Sequence, residues 1–328
     1  MPQIRKTITA LWVGGALLFG TAGTAEADSI AVTHENDTFA GRDQYYTAGQ
    51  SVTWYGRARD RHGWADRLAG GLPFFPKKGT RRLMGGVGQK LFTPEDITEE
   101  NPSEDDRPYA GWLYVTASLV VESGWRQSIA DLTVGTVGPS AGGHYLQSDV
   151  HARLDGADQP NGWETQLHDE VGVVVRYTDR YRGRLHFGRG GWAMDIIPGW
   201  SLWAGNVYTA AEAEFILRIG PNLPMDHGGP IFHPVTAPET YFRPAGGGWY
   251  LHARGVRRAI AHNLFLDGNT FRESRSVEKK PYVSQLYLGI AFHWERIRLS
   301  YTHSWLTHEF ETQRRDDPYG AIQLAFSF

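Results

Sequence analysis

The segment AIQLAFSF, residues 321–328, decides the fold. Every second residue in it is apolar: Ile322, Leu324, Phe326 and Phe328. Because successive side chains of a β-strand point to opposite faces of the sheet, this period of two predicts a strand with one apolar face. An aromatic residue at the end of such a strand is typical of the last strand of a transmembrane β-barrel, where the ring lies at the membrane interface.

A β-hairpin is predicted just upstream, in the segment LYLGIAFHWERIRLSYTHSW, residues 286–305. Apolar residues alternate with small or polar ones over residues 288–294 and again over 297–301. Only Glu295 and Arg296 separate the two runs, which is the length of a tight hairpin turn. Short turns of this kind mark the periplasmic side of outer-membrane barrels, whereas long loops mark the outside.

Comparable alternating runs recur along the rest of the chain, at about 29–37, 45–56, 83–92, 110–121, 127–137, 170–178, 193–203, 207–219 and 247–258. Together with the three strands described above, they predict an all-β fold, a closed antiparallel barrel of about twelve strands. An even number of strands places both ends of the barrel domain in the periplasm. Closure is required because an open sheet edge in lipid would leave backbone groups without partners.

The beginning of the chain and its composition agree with export. Arg5 and Lys6 precede an apolar run that ends in Ala25-Glu26-Ala27, so we expect residues 1–27 to be a signal peptide and 28–328 to form the barrel. The chain has no cysteine, 39 glycines and 42 aromatic residues (12 Trp, 15 Tyr and 15 Phe). Its net charge of -3 gives no support for nucleic-acid binding.

Strand parity predicts which connections face the outside. If the first strand runs outward, the connections after odd-numbered strands are extracellular: 38–44, 93–109, 138–169, 204–206, 259–282 and 307–319. Two long connections, 57–82 and 220–246, then fall on the periplasmic side, where short turns are usual. In the third external loop, Leu146, Val150 and Leu154 are four residues apart, which predicts a short amphipathic helix at the rim, lying across the barrel mouth.

Polar residues at two strand ends form a candidate site. In HENDTFAGRDQYYTAGQSVTW, residues 34–54, Asn36 and Asp37 close one predicted strand and Thr47 opens the next. Amide, carboxylate and hydroxyl oxygens are hard ligands of the kind that calcium prefers. His151, in the loop helix next to Gln147 on one helical face, can accept a proton from water near neutral pH. Asp155 or Asp158 follows within about two helical turns and could support it.

Four segments, which span nearly the whole predicted mature chain in matching order, resemble the outer-membrane lipid A deacylase family. They are HENDTFAGRDQYYTAGQSVTW, DDRPYAGWLYV, TVGPSAGGHYLQSDVHARLDGADQPNGWETQLHDEVG and IIPGWSLWAGNVYTAAEAEFILRIG. The resemblance implies a twelve-stranded barrel in the bacterial outer membrane, with its active site at the outer rim, acting on lipid A of lipopolysaccharide. It implies a lipid A 3'-O-deacylase that depends on Ca²⁺ and hydrolyses the 3'-linked acyloxyacyl ester. We expect a monomer.

The resemblance also implies roles for individual residues. The Asn-Asp pair of the family falls on Asn36 and Asp37, the Thr of its Tyr-Thr-x-Gly motif on Thr47, and the histidine that activates water on His151. The acidic residue that follows falls on Asp158, with one extra residue before Trp163, so Asp155 is a rival. These five residues, His151, Asp158, Asn36, Asp37 and Thr47, are the expected catalytic set, and Asn36, Asp37 and Thr47 the expected calcium ligands.

The chain departs from the family in one charged pair. Where family members can carry Lys-Arg after the third strand, this sequence has Glu99 and Glu100. The change reverses the local charge at a site that would meet an anionic glycolipid. Either neighbouring cations supply the positive charge, or the substrate is bound differently. The candidates for such cations are Arg107, Lys279, Lys280, Arg314 and Arg315.

Two other functions are compatible with a barrel. An outer-membrane phospholipase needs a serine paired with histidine, and the nearest match in this chain is His303-Ser304, inside a predicted strand. A passive barrel, either a pore or a structural protein, needs no catalytic residue. At about twelve strands, however, we expect side chains to fill the lumen rather than leave a wide channel.

Overall fold

A computed structural model describes residues 28–40, 45–57, 63, 67, 70–71, 75–151, 159–188, 190–239, 241 and 246–328. Within these residues, twelve antiparallel strands form one sheet. They are β1 Ser29–Asn36, β2 Tyr45–Tyr55, β3 Thr80–Thr93, β4 Ala110–Ser123, β5 Arg126–Val137, β6 Glu170–Tyr181 with a continuation at Gly183–His186, β7 Trp192–Gly205, β8 Tyr208–Pro221, β9 Gly248–Asn263, β10 Tyr282–Trp294, β11 Ile297–Leu306 and β12 Asp317–Ser327. The prediction of a twelve-stranded antiparallel barrel is confirmed.

Two sets of backbone pairings close the sheet into a barrel. β1 pairs with β12 along its whole length, from Ser29 opposite Ser327 to Asn36 opposite Gly320. β6 pairs with β5 on one side and with β7 on the other, and its short continuation also pairs with β7. The strands that span the bilayer therefore have a hydrogen-bonded neighbour on both sides, as a bilayer requires.

The connections differ in length between the two ends of the barrel. The end at which β1 terminates, called here the outer end, carries the long loops, as strand parity predicts. At the opposite end, Gly124 and Glu295 take positive φ angles in tight turns, with φ of 61° and 47°. Glycine adopts this conformation without a Cβ clash, whereas Glu295 pays a small steric cost for it. Half of the connection 57–82 lies outside the described residues.

The helices in the described residues are short. α1 spans Gly143–His151 in the loop between β5 and β6, and α2 spans Leu264–Asp267 after β9. Single turns of 3-10 helix lie at Asp37–Ala40, Pro139–Ala141 and Gly162–Thr165. Among the described helices, none has the length and hydrophobicity needed to cross a bilayer.

The connection between β8 and β9 is longer than a usual periplasmic turn because part of it lies inside the barrel. Its residues 223–239, called here the inner segment, fold back into the barrel lumen. The Trp112 indole N–H donates to the Val235 carbonyl at 2.9 Å, and Arg254 Nη1 donates to the Phe232 carbonyl at 3.1 Å. A Cβ added at Gly86 would lie 2.6 Å from Ala237, so only glycine fits there. The lumen is filled by this segment as well as by the expected side chains.

A ladder of alternating charges surrounds the inner segment. Its members are lumen-facing side chains of the strands together with Glu239 of the inner segment, in the order Asp131, Arg176, Glu239, Arg180, Glu214, Arg254, Glu212 and Arg258. Arg176 Nη2 donates to Glu239 at 2.8 Å, and His233 Nε2 lies 2.9 Å from the same carboxylate. Buried charges are tolerated only when they are paired in this way. The ladder therefore both requires the inner segment and holds it in place.

We predict that Glu239→Gln lowers the free energy of unfolding by about 3 kcal/mol, because Arg176 and Arg180 each lose a charged partner in the lumen. Urea denaturation in detergent, followed by the gel mobility shift between folded and unfolded barrel, measures the change. Glu273→Gln, at an exposed loop position, is the matched control and should be neutral. Equal stability of the two variants would contradict the proposed role of the ladder.

Candidate active site

Asn36, the first of the candidate residues along the chain, lies on the outer wall of the barrel, near its outer end. Register pairs Asn36 with Ala48, Ala48 with Leu91, and Leu91 with Gly111, across β1 to β4. These positions alternate with lumen-facing residues and share their face with Val115, which is 57% exposed on the barrel exterior. Adjacent strands are about 4.8 Å apart, so Asn36 and Leu91 are separated by about 10 Å. We call these four positions the outer row.

Helix α1 packs against the outer row. A Cβ added at Gly143 would lie 3.0 Å from Leu91, and one at Gly111 would lie 3.1 Å from Ala141 and 3.3 Å from the Gly143 nitrogen. Trp163 closes the contact from the loop side, with its ring 4.9 Å from that of Tyr109. The prediction of a helix in this loop is confirmed, but its placement across the barrel mouth is wrong. Small residues on the wall allow the helix to lie beside the barrel instead.

Asn36 and Asp37 lie where β1 ends and the chain turns back over the wall. The Asn36 Oδ1 accepts a hydrogen bond from the Thr38 backbone N–H at 2.8 Å, which starts the turn. The side chain of Asp37 is fully buried. Phe39 follows and lies on the exterior, where a Cβ at Gly320 would come within 2.5 Å of it. The turn thus fixes a buried carboxylate beside the outer row.

Thr47 lies at a β-bulge, where the pairing of β2 with β3 shifts between Tyr46 and Ala48. A bulge adds one residue to its strand and redirects the side chain. The Thr47 hydroxyl is hydrogen-bonded to the Thr93 hydroxyl at 2.7 Å, and both residues are buried. Since Thr47 is adjacent to Ala48 in the outer row, the structure brings Asn36, Asp37 and Thr47 to one region of the wall, as the sequence predicts.

The remaining predicted residues are described only in part. His151 is the last residue of α1, and its side chain lies outside the described part of the structure. Asp155 and Asp158 also lie outside the described residues, so the choice between them stays a prediction. The helical period nevertheless places position 151 on the same face as positions 143 and 147, since they are four residues apart. That face is the one on which Gly143 meets the wall.

Sequence reasoning placed Gln147 beside His151 but missed its partner. Gln147 is buried between α1 and the loop, and its Oε1 accepts a hydrogen bond from the Trp163 indole N–H at 2.8 Å. The signal in the sequence was the spacing of four residues from His151. Trp163, the partner of Gln147, lies sixteen residues further along the chain, and no local sequence pattern indicates a contact over that distance.

Glu99 lines a cavity of about 600 Å³ at the outer end, between the β3–β4 and β11–β12 loops. Its lining is mainly acidic: Glu95, Asp96, Glu99, Asp105 and Asp106, with Arg314 and Arg315 opposite. Three hydroxyl-bearing side chains, Tyr45, Ser103 and Thr312, also line it. The predicted reversal of charge therefore extends beyond Glu99 to a whole surface.

Four of the five candidate cations are already paired with carboxylates, and one of them, Arg315, pairs with Glu95 of the acidic surface itself. Their carboxylate contacts are Arg107 to Glu309 at 3.1 Å, Lys279 to Asp267 at 2.9 Å, Lys280 to Glu311 at 2.6 Å and Arg315 to Glu95 at 3.0 Å. An ion pair neutralises the charge that each side chain could offer to an anionic ligand. Of the two explanations for Glu99 and Glu100, different binding of the substrate is the one these contacts favour.

Two carboxyl groups of this surface have shifted pKa values. Burial raises the pKa of Asp106, although the backbone N–H groups of Glu95 and Arg107 both donate to it at 2.7 Å. The hydroxyl and backbone N–H of Thr98 lower the pKa of Asp96 by stabilising its charged form. Asp96 therefore stays charged at a lower pH than Asp106.

The serine and histidine of the phospholipase alternative face opposite ways. The Ser304 hydroxyl is buried in the lumen, where it accepts a hydrogen bond from Gln285 Nε2 at 2.7 Å. The adjacent His303 lies on the exterior, with its ring 4.4 Å from that of Trp305. Neighbouring residues of a strand point to opposite faces, so this pair cannot act as nucleophile and base.

The side-chain oxygens of Asn36, Asp37 and Thr47 are of the kind that binds calcium. They provide one amide, one buried carboxylate and one hydroxyl, all hard donors. Calcium takes about six to eight oxygens, so backbone, water or substrate would supply the rest. Within the described residues, no group of three or more His, Asp or Glu side chains has the geometry of a metal site. Because all three donors are oxygens, this set is more typical of a hard cation such as calcium than of zinc, which is usually bound by nitrogen and sulfur ligands.

Comparison with known proteins gives a matching family and similar solved structures. The family described as outer membrane protein LpxR matches residues 9–328. The solved structure of LpxR from Salmonella typhimurium superposes with a TM-score of 0.76 at 18% identity, covering 92% of this chain and 100% of that one. The β domain of the Bordetella autotransporter Brka gives a TM-score of 0.46 at 11% identity, covering 93% and 100%. No curated protein sequence matches the chain significantly.

We predict that Gly111→Leu displaces α1 from the wall without unfolding the barrel, because the new side chain would occupy the space of Ala141 and Gly143. Limited proteolysis should then cut α1, Gly143–His151, faster than in the wild type. Gly255→Leu is the matched control, since nothing lies within 4 Å of its Cβ position on β9. Unchanged protection in Gly111→Leu would mean that α1 does not dock on the outer row.

Proposed function

The chain belongs to the family of the outer membrane protein LpxR, and from this premise we propose that it is a lipid A deacylase. Family and fold place it in the bacterial outer membrane. The proposed reaction is Ca²⁺-dependent hydrolysis of the 3'-linked acyloxyacyl ester of lipid A in the outer leaflet. The active site would face that leaflet and the exterior.

The observation that carries this proposal is the position of the candidate residues on the outside of the barrel. Asn36 and its neighbours in the outer row share a face with lipid-exposed positions such as Val115. A lipid substrate can therefore reach them by lateral diffusion, with its acyl chains along the apolar wall. A site inside the lumen would require the lipid to leave the bilayer, which is costly for long acyl chains.

The proposed mechanism uses His151 as the general base. It would take a proton from water as the water oxygen attacks the ester carbonyl carbon. The same proton would return to the 3'-oxygen of the sugar when the carbon–oxygen bond breaks. Asp158 or Asp155 would hold the imidazole in the required tautomer.

Asn36, Asp37 and Thr47 would hold calcium beside the ester. When bound, the cation would offset negative charge that develops on the carbonyl oxygen. Of the three residues, only Asp37 brings a full negative charge to attract the cation. The turn after Asn36 keeps this carboxylate buried next to the wall. This arrangement favours binding of the cation at the same place where the ester would lie.

Two observations weigh against the alternatives. The inner segment fills the lumen, which disfavours a pore. His303 and Ser304 face opposite sides of the wall, which excludes them as a phospholipase pair. A structural barrel without activity is left as the second candidate, and the acidic surface around Glu99 is the observation that favours it.

We predict that His151→Ala lowers deacylation of lipid A by the purified barrel at least about 100-fold, because general base catalysis contributes roughly that factor or more. The assay is release of the 3'-acyloxyacyl group, followed by mass spectrometry. His308→Ala, in another loop at the outer end, is the control and should retain activity. Undiminished activity in the folded His151→Ala barrel would remove the proposed mechanism.

A further inference from the structure

Gln147 carries a buried amide on α1, and only one side of that amide is hydrogen-bonded within the described residues. The side chain is 3% exposed and lies one helical turn before His151. Its single described contact through Oε1 is the hydrogen bond from Trp163 at 2.8 Å. Trp163 is itself 2% exposed, so this contact is sheltered from water.

The contact with Trp163 fixes which way the amide points. An indole N–H can only donate, so the atom that faces Trp163 must be the carbonyl oxygen of Gln147. The amide nitrogen Nε2 therefore points in the other direction. It is buried, and within the described residues it has no hydrogen-bond partner. Proteins rarely leave a buried donor unsatisfied, because water has been removed and nothing replaces it.

The donor lies on the face of the helix that carries the candidate base. Positions 143, 147 and 151 are four residues apart and lie along one helical face. Gly143 of that face is in contact with Leu91 in the outer row. The N–H groups of Gln147 are buried on this face, whose first residue, Gly143, meets both Trp163 and Leu91 of the outer row. Under the proposed function, this is the side of α1 from which the ester of a membrane lipid would approach.

We infer that the Gln147 amide is a further catalytic residue, which donates a hydrogen bond to the carbonyl oxygen of the ester under attack. The inference rests on the proposed deacylase function. As the water oxygen bonds to the carbonyl carbon, the carbonyl π electrons move to the oxygen, and the N–H stabilises the resulting negative charge. When the carbon–oxygen bond to the sugar breaks, the carbonyl re-forms and the 3'-oxygen takes the proton from His151.

A purely structural role for Gln147 would act through Trp163. In that case the hydrogen bond would only hold α1 against the loop, and removal of either partner should have the same effect. A catalytic role predicts unequal effects, because only Gln147 carries the donor aimed at the substrate. The two roles can therefore be separated with a pair of variants.

The experiment compares steady-state deacylation of lipid A by the wild type, Gln147→Met and Trp163→Phe. Methionine keeps the length of the side chain without a donor, and phenylalanine keeps the buried ring without the indole N–H. Gln147→Glu, assayed at alkaline pH, is added because its carboxylate still accepts from Trp163 but brings no N–H. Heat-modifiable gel mobility and the rate of proteolysis within α1 verify the fold of each variant.

The inference predicts that kcat falls about 100- to 1000-fold in Gln147→Met and Gln147→Glu, with KM nearly unchanged, as for loss of one oxyanion donor. Trp163→Phe should lose less than about tenfold, since the amide remains and only its orientation relaxes. Equal losses in Gln147→Met and Trp163→Phe, or full activity in Gln147→Glu, would overturn the inference while leaving the deacylase function intact. An inactive wild type would instead overturn the proposed function and this inference with it.

Discussion

In the hydrocarbon core of a bilayer, every backbone N–H and C=O must find its partner within the protein, and the rest of this structure depends on that constraint. The chain meets it by pairing β1 with β12 and β6 with β7. Closure assigns each side chain to the lumen or to the lipid, because neighbouring residues of a strand face opposite sides. Polar groups then concentrate in the lumen and at the outer end.

The polar groups of the lumen and those of the outer end have different structural roles. In the lumen, a ladder of charges that includes Arg176 and Arg180 binds Glu239 and fixes the inner segment, so the barrel is a solid support. At the outer end, small residues such as Gly111 leave room on the wall for α1. The result is a helix that lies against the outside of the barrel, next to Asn36 and its neighbours on the wall. That geometry suits a substrate whose acyl chains stay in the membrane.

Much of the fold could be predicted from the sequence, since the alternation of apolar residues in segments such as 321–328 reports the face of each strand directly. Strand parity also accounts for the convergence of Asn36, Asp37 and Thr47, because the end of β1 and the start of β2 meet at one end of the barrel. The roles of these residues stay predictions. The position of the inner segment in the lumen was not foreseen, since Glu239 of this segment and its partner Arg176 are far apart in sequence. The side on which α1 docks depends on Gly111, whose role is visible only in three dimensions.

The most direct test of the account is mass spectrometry of lipid A in outer membranes that contain the wild-type protein, incubated with calcium or with a chelator. The account predicts that lipid A loses the mass of a 3'-acyloxyacyl group when calcium is present and keeps it when calcium is removed. Unchanged lipid A in both samples, from a barrel with folded gel mobility, would contradict the deacylase function. In that case the acidic surface around Glu99 would mark a family member with a different role.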